Sequence, residues 1–184
     1  MISRRAFLAA CVLLAPAAAR AAAAEKPLTA VWRTDIDGDR RPETFTYTLA
    51  ERGNRYVASV TIRSDKAVLW SHRWEMAASD FTGDLLREEG DISPEQWVQG
   101  FFHGGTQYGA RLERRPLRAD EINPTFVDQA AQRYKLSTAS LEKALLGKRP
   151  LAVLHYRATW REDVWRIVYV PEIRRFIRYG SGPY

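Results

Sequence analysis

Cysteine is almost absent from this chain of 184 residues, its single copy being Cys11. A disulfide-stapled scaffold is thereby excluded, because such folds need several bridges in place of a sufficient core. Histidine is scarce as well, at three: His72, His103 and His155. None stands in a His-x-x-x-His or His-Glu-x-x-His pairing, so a zinc site of the usual spacing is excluded. Eleven glycines and nine prolines are too few for a collagen-like chain. His103-Gly104-Gly105 has no Gly-x-Ser-x-Gly nucleophile turn to accompany it, and no phosphate-cradling glycine-rich loop occurs. No internal repeat of roughly 20–50 residues is visible either, which excludes a full propeller or a solenoid.

Apolar and aromatic residues are plentiful. Hydrophobic residues make up 46% of the chain and aromatic ones 11%, with six Trp, eight Tyr and seven Phe. Intrinsic disorder is excluded, since disordered chains lack this apolar material. The only long apolar run lies at the start. Arg4 and Arg5 precede an alanine-rich stretch, and small residues at Ala22-Ala23-Ala24 suit cleavage ahead of Glu25. Pro16 and Arg20 interrupt the run, so it reads as a signal peptide over residues 1–24 and not as a membrane-spanning helix. Ser3-Arg4-Arg5-Ala6-Phe7-Leu8 resembles a bacterial twin-arginine export signal, although Ala9 stands where a lysine is frequent. The resemblance implies a folded protein delivered to the periplasm or secreted. Cleavage removes Cys11 and three arginines, lowering the formal charge from +6 to +3. The remaining ~160 residues, 25–184, suffice for a single globular domain that buries about 70% of its unfolded surface.

Hydrophobic period organises that domain into strands, then helices, then strands. Phe45, Tyr47 and Leu49 alternate with Thr44, Thr46 and Thr48, and Tyr56, Ala58, Val60 and Ile62 repeat the pattern. With short strands at 29–34 and 67–74, and turns at 51–54 and 64–66, they predict an antiparallel β-meander. Ser93-Pro94-Glu95-Gln96 starts a helix that carries Trp97, Val98, Phe101 and Phe102 and stops at Gly104-Gly105. Asn123-Pro124 starts a second, with Phe126, Val127, Ala130 and Tyr134 on one stripe. Ser137 or Thr138 caps a third, through Leu141, Leu145 and Leu146 to Gly147. Strands return at 151–160, 164–170 and 175–179, the first two joined by an Arg161-Glu162-Asp163 turn. The order predicts an α+β fold with an N-terminal antiparallel meander, two to three central helices and a C-terminal hairpin or meander.

One loop carries recognisable chemistry. In Asp35-Ile36-Asp37-Gly38-Asp39-Arg40-Arg41-Pro42-Glu43, four carboxylates occupy positions 1, 3, 5 and 9. Alternate side chains of a tight loop turn toward one centre, and calcium takes six to eight oxygens of this kind at roughly 2.3–2.6 Å. Gly38 lets the backbone curl, and Pro42 fixes the exit into the next strand. The segment resembles the calcium loop of FG-GAP and VCBS-type repeats, in which Asp-x-Asp-Gly-Asp-Gly-x-x-Asp joins two strands. The resemblance spans one repeat. It implies Asp35, Asp37, Asp39 and Glu43 as side-chain ligands of Ca²⁺ and the Arg41 carbonyl as a backbone ligand. Arg40 stands where those loops have glycine, and Glu43 replaces the last aspartate. The competing reading is a polar turn whose acids pair with Arg33, Arg40 and Arg41.

Candidates for catalysis are weaker. Glu88, Glu89 and Asp91 hold carboxylates but no spacing selects a pair, and they fit an exposed loop ahead of a helix N-terminus. Arginine is concentrated at Arg111, Arg114, Arg115 and Arg118, and again over 148–184, where aromatic residues are interleaved. Strand alternation sets Arg166 opposite Trp165 and Ile167, predicting guanidiniums outward and aromatics inward. The expectation is an exported soluble protein with one structural calcium loop and no catalytic set. Its partner would be an anionic envelope component or protein and not nucleic acid. Two alternatives stay open: an exported hydrolase whose acids converge from separate segments, and an inhibitor or immunity-like protein of a cell-envelope enzyme.

Overall fold

The computed structural model describes residues 26–81, 92–103, 109–158 and 164–182. Outside them lie the signal segment expected over 1–24, the acidic run 88–91, the helix stop at Gly104-Gly105 and the Arg161-Glu162-Asp163 turn.

Alternation builds the first sheet. Strands β1 (Leu28–Thr34), β2 (Glu43–Arg52), β3 (Arg55–Arg63) and β4 (Val68–Ala77) pair antiparallel in chain order. Phe45, Tyr47 and Leu49 are buried while the intervening threonines are half exposed, as period-2 patterning requires. The β2–β3 hairpin turns on Gly53-Asn54, where Gly53 takes φ +66°, a conformation cheap only for glycine.

A second four-stranded antiparallel sheet contains β5 (Arg111–Arg115), β6 (Leu151–Arg157), β7 (Val164–Val170) and β8 (Arg175–Gly182), again in chain order. Strand β5 was not foreseen. Its sequence Arg-Leu-Glu-Arg-Arg has one apolar residue, so no hydrophobic period marks it, and such charge is typical of a sheet edge. The expected C-terminal hairpin or meander is therefore a full sheet that recruits a strand from ahead of two helices. The chain mixes helix and antiparallel strand as expected, with strand predominant, and neither sheet closes on itself.

The helices begin where their caps dictate. Ser93 caps α1 (Pro94–Gly100), its hydroxyl accepting from the Gln96 N–H while the Gln96 side chain accepts from the Ser93 N–H. Asn123 caps α2 (Pro124–Tyr134) through the Thr125 N–H, and Ser137 caps α3 (Thr138–Leu145) through the Ser140 N–H. Two ends differ from expectation. Helix α1 stops at Gly100, and Phe101 and Phe102 bury their rings from the turn beyond it. Leu146 is the residue after α3 and is 45% exposed, because the core-facing stripe ends at Leu145.

Three layers result. The inner face of the first sheet packs Phe45, Tyr47, Val60 and Trp74 against Leu154, Tyr156, Ile167 and Phe176 of the second. The opposite face of the second sheet packs Val153, Val168 and Ile177 against Val127 of α2 and Leu141 and Leu145 of α3. Hydrogen bonds join the sheets: Trp74 Nε1 donates to the Ala158 carbonyl at 2.7 Å, and Trp70 Nε1 to the Tyr156 hydroxyl at 3.1 Å. Helix α1 covers β1 and β2, with the Phe101 ring stacked 4.0 Å from Tyr47 and Trp97 Nε1 donating to the Tyr47 hydroxyl.

Neighbouring leucines separate packing from propensity. Leu145→Ala, at a fully buried site, is expected to cost about 2–5 kcal/mol. Leu146→Ala is expected to change stability by less than about 0.5 kcal/mol. Urea unfolding of both variants checks the contrast, and equal losses would place α3 wrongly against the second sheet.

Candidate functional site

The loop over 35–42 joins β1 to β2 at one end of the first sheet. Its conformation is set by its own side chains. Asp35 accepts from the Gly38 N–H at 2.7 Å and from the Arg40 N–H at 2.9 Å. Asp37 accepts from the Asp39 N–H at 3.1 Å, and Asp39 from the Arg41 N–H at 2.7 Å. These are the local side-chain-to-backbone bonds that make aspartate a turn residue. The curl they impose puts Gly38 at φ +85° and Arg40 at φ +67°. A left-handed arginine costs ~1–2 kcal/mol, so the loop stores strain at the position where the resembling loops carry glycine. Arg174, which lines a recess beside the loop, is also left-handed at φ +50°.

Three expected ligands come together. One carboxylate oxygen from each of Asp35, Asp37 and Asp39 lies within 4.8 Å of the others. Among the described residues none of the three is ion-paired, so the pairing with Arg33, Arg40 and Arg41 does not form; backbone N–H groups take that place. Glu43 stands outside the trio. It is 3% exposed at the start of β2, and one oxygen accepts from the Ile36 N–H at 2.8 Å, fastening the loop to its own exit. Arg41 is seen to engage the trio through its N–H.

Electrostatics divides the acids. Donation from the Gly38 N–H, then from the Arg40 N–H, outweighs desolvation and holds the Asp35 carboxyl below its usual range. Burial pushes Glu43 up, and the charges of Asp37 and Asp35 push the same way, against the Ile36 N–H. A cation at the trio's centre would relieve that repulsion.

The second sheet braces the loop. Arg114 of β5 donates to the Asp35 carbonyl at 2.7 Å, and the Tyr169 hydroxyl of β7 reaches Asp37 at 3.4 Å. Ile36 is 2% exposed in the core between the sheets. Sequence reasoning missed Arg114 and Tyr169 because both are distant in the chain. A recess of about 380 Å³ opens beside the loop, where Lys66, Arg174 and Arg175 face Asp37, Asp39 and Glu43.

The histidines have other occupations. His103 is exposed. His72 stacks on Trp74 and Trp165, and its Nδ1 is 3.1 Å from the Tyr156 hydroxyl. His155 Nε2 is 2.9 Å from the Tyr179 hydroxyl. Arg166 does face away from Trp165, but not into open solvent. Its stem lies against Gly180, beside the Ala119–Glu121 turn, where Glu121 pairs with Arg115.

Comparison with family models, with curated proteins and with solved structures finds no match. Among the described residues, no helix is long and apolar enough to cross a membrane.

Burial, with Arg166 adding to it, pushes the His155 pKa down to about 4 from an ordinary 6.5; Arg115 acts the same way, and Glu113 and Glu121 oppose. Between those values the unfolded chain binds the proton and the folded protein does not, so stability falls as pH drops through that window. His155→Gln is expected to remove about 1 kcal/mol of that loss at the acid end, after discounting for solvent screening. Urea midpoints at pH 7 and pH 4 check it; parallel pH dependences in parent and variant would contradict the assignment.

Proposed function

We propose that this chain is an exported α+β domain, freed of residues 1–24 by cleavage after a twin-arginine-type signal, that binds Ca²⁺ at 35–43 and works by surface recognition in the periplasm or outside the cell. The observation that carries the reading is the approach of one carboxylate oxygen each from Asp35, Asp37 and Asp39 to within 4.8 Å, with none of the three ion-paired among the described residues. The oxygens are of the hard type that calcium prefers, and the loop joins two strands as in the FG-GAP and VCBS-type repeats it resembles. Glu43 and the Arg41 carbonyl, the other ligands that the resemblance implies, would have to turn toward the trio, Glu43 giving up its bond to the Ile36 N–H. The ion's role is structural, since Ca²⁺ polarises bound water weakly beside zinc.

The surroundings favour an anionic envelope component or protein as partner. Arg40, Arg41, Lys66, Arg149 and Arg174 ring the loop and its recesses. Ca²⁺ would offset two of the trio's three negative charges, leaving the basic residues of that rim in excess over Asp65 and Glu43, and metal loading would then strengthen attraction for an anion. Translocation in the folded state means loading after export, where calcium is abundant, and therefore a fold that stands without the ion.

If Kd is ~0.1 mM, as in weak extracellular modules, then ~1 mM Ca²⁺ stabilises by about 1.4 kcal/mol. Thermal unfolding is expected to shift up by roughly 3–6 °C and to return with EDTA. Asp37→Ala is expected to lose the response while keeping the fold. Equal melting in calcium and in EDTA would remove the metal from the account.

A further inference from the structure

An open sheet ends in two edge strands whose outer N–H and C=O groups lack a neighbour, and folds blunt such edges with charge, bulges, shortness or a covering segment. Three of the four edges here are treated in that way. Strand β5 is five residues long and carries three arginines. Along β8, the Asn123 N–H donates to the Tyr179 carbonyl at 2.8 Å, and the Glu121 carbonyl lies against Gly180. Strand β4 shifts register against β3 between Ile62 and Arg63 and exposes Arg73 and Glu75. Its Trp70 and His72 are tied to Tyr156 of the second sheet.

The fourth edge is bare. Strand β1 runs seven residues in unbroken register with β2, with no proline within it and one charge, Arg33. Among the described residues, its backbone bonds to β2 alone. Val31, at its centre, is 55% exposed, more than any other large apolar residue described. On the inner face Leu28, Ala30 and Trp32 are half-buried and carry the core to the brink of the sheet. An unpaired strand of this kind is a template for another strand.

Pairing with a second copy has one register that uses the whole strand. An antiparallel copy centred on Val31 sets Val31 opposite Val31, Ala30 opposite Trp32, Leu28 opposite Thr34 and Thr29 opposite Arg33. The two copies of Arg33 then stand four residues apart, about 14 Å along the strand, and not face to face, where like charges destabilise. Trp32 meets Ala30 directly and has Leu28 of the copy within diagonal reach. Continued one step, the register brings Pro27 of the copy opposite Asp35. The exposed Lys26 of each copy thereby enters beside the acidic loop of the other, charge against opposite charge. We propose that two copies of this chain join β1 to β1 about a two-fold axis at Val31, merging their first sheets into one of eight strands. The pairing makes no use of calcium and stands whether or not the loop binds it. One strand per copy is a small interface, so micromolar and not nanomolar association is expected.

Sedimentation equilibrium of the purified chain in EDTA, from about 1 μM to about 1 mM, brackets that range. A reversible monomer–dimer transition is expected within it. Val31→Lys sets two ammonium groups opposite each other and is expected to weaken the dimer about tenfold or more, while the exposure of the site leaves the monomer folded. Val68→Lys, at the exposed valine of β4, is expected to leave the dissociation constant unchanged. Crosslinking in a Cys11→Ser chain reads the register. Opposed residues of an antiparallel pair lie about 4.5–5.5 Å apart at Cα, within disulfide reach. Val31→Cys is therefore expected to give a disulfide-linked dimer on mild oxidation, and Arg33→Cys is not. Monomer throughout the range, a dimer as tight with Val31→Lys as without it, or crosslinking through Arg33→Cys in preference to Val31→Cys would each overturn the proposal.

Discussion

Because β6, β7 and β8 are covered on one face by the first sheet and on the other by α2 and α3, every side chain they carry must be apolar or find a partner inside the protein. Leu151 to Leu154 are buried without interruption, and so are Ile167 to Val170, the signature of strands packed on both faces. Tyr156, Tyr179 and Arg178 show how such exceptions are met. Tyr156 meets Trp70 and His72, and Tyr179 meets His155. Arg178 is held between two rings. The middle layer fixes where the outer layers sit, and hence where the recess beside the acidic loop opens.

The acidic loop shows how a local motif depends on that arrangement. Its curl is local, made by aspartates accepting N–H groups a few residues ahead. Its placement is not. Ile36 is driven into the core between the sheets, Glu43 is buried beneath, and Arg114 and Tyr169 reach it from strands far along the chain. A free acidic turn would spread its charges. This one holds three carboxylates together with the help of backbone donors and a left-handed Arg40, and the strain is tolerated because the flanking strands hold both ends.

Much of the fold was legible. Strand β1 followed from a short apolar stretch, β2 and β3 from strict alternation, and the starts of α1 and α2 from Ser93-Pro94 and Asn123-Pro124, since caps and period are local effects. What escaped had no local signal. Strand β5 offers only Leu112 to an apolar pattern, and it exists because the exposed edge of β6 requires a partner for its backbone. Leu146 continues the run of Leu141 and Leu145 by composition, yet one position past the helix end turns it to solvent.

The same division applies to function. Residue types and spacing within 35–43 singled out Asp35, Asp37 and Asp39 as a cluster that could hold a metal, because a nine-residue loop carries its own geometry. The bracing of that loop, the basic rim and the stack of His72, Trp165, Arg178 and Phe126 were decided only when distant segments packed. Attraction between side chains decays over a few ångströms, so residues separated by tens of positions acquire chemistry together only after the layers have brought them into contact.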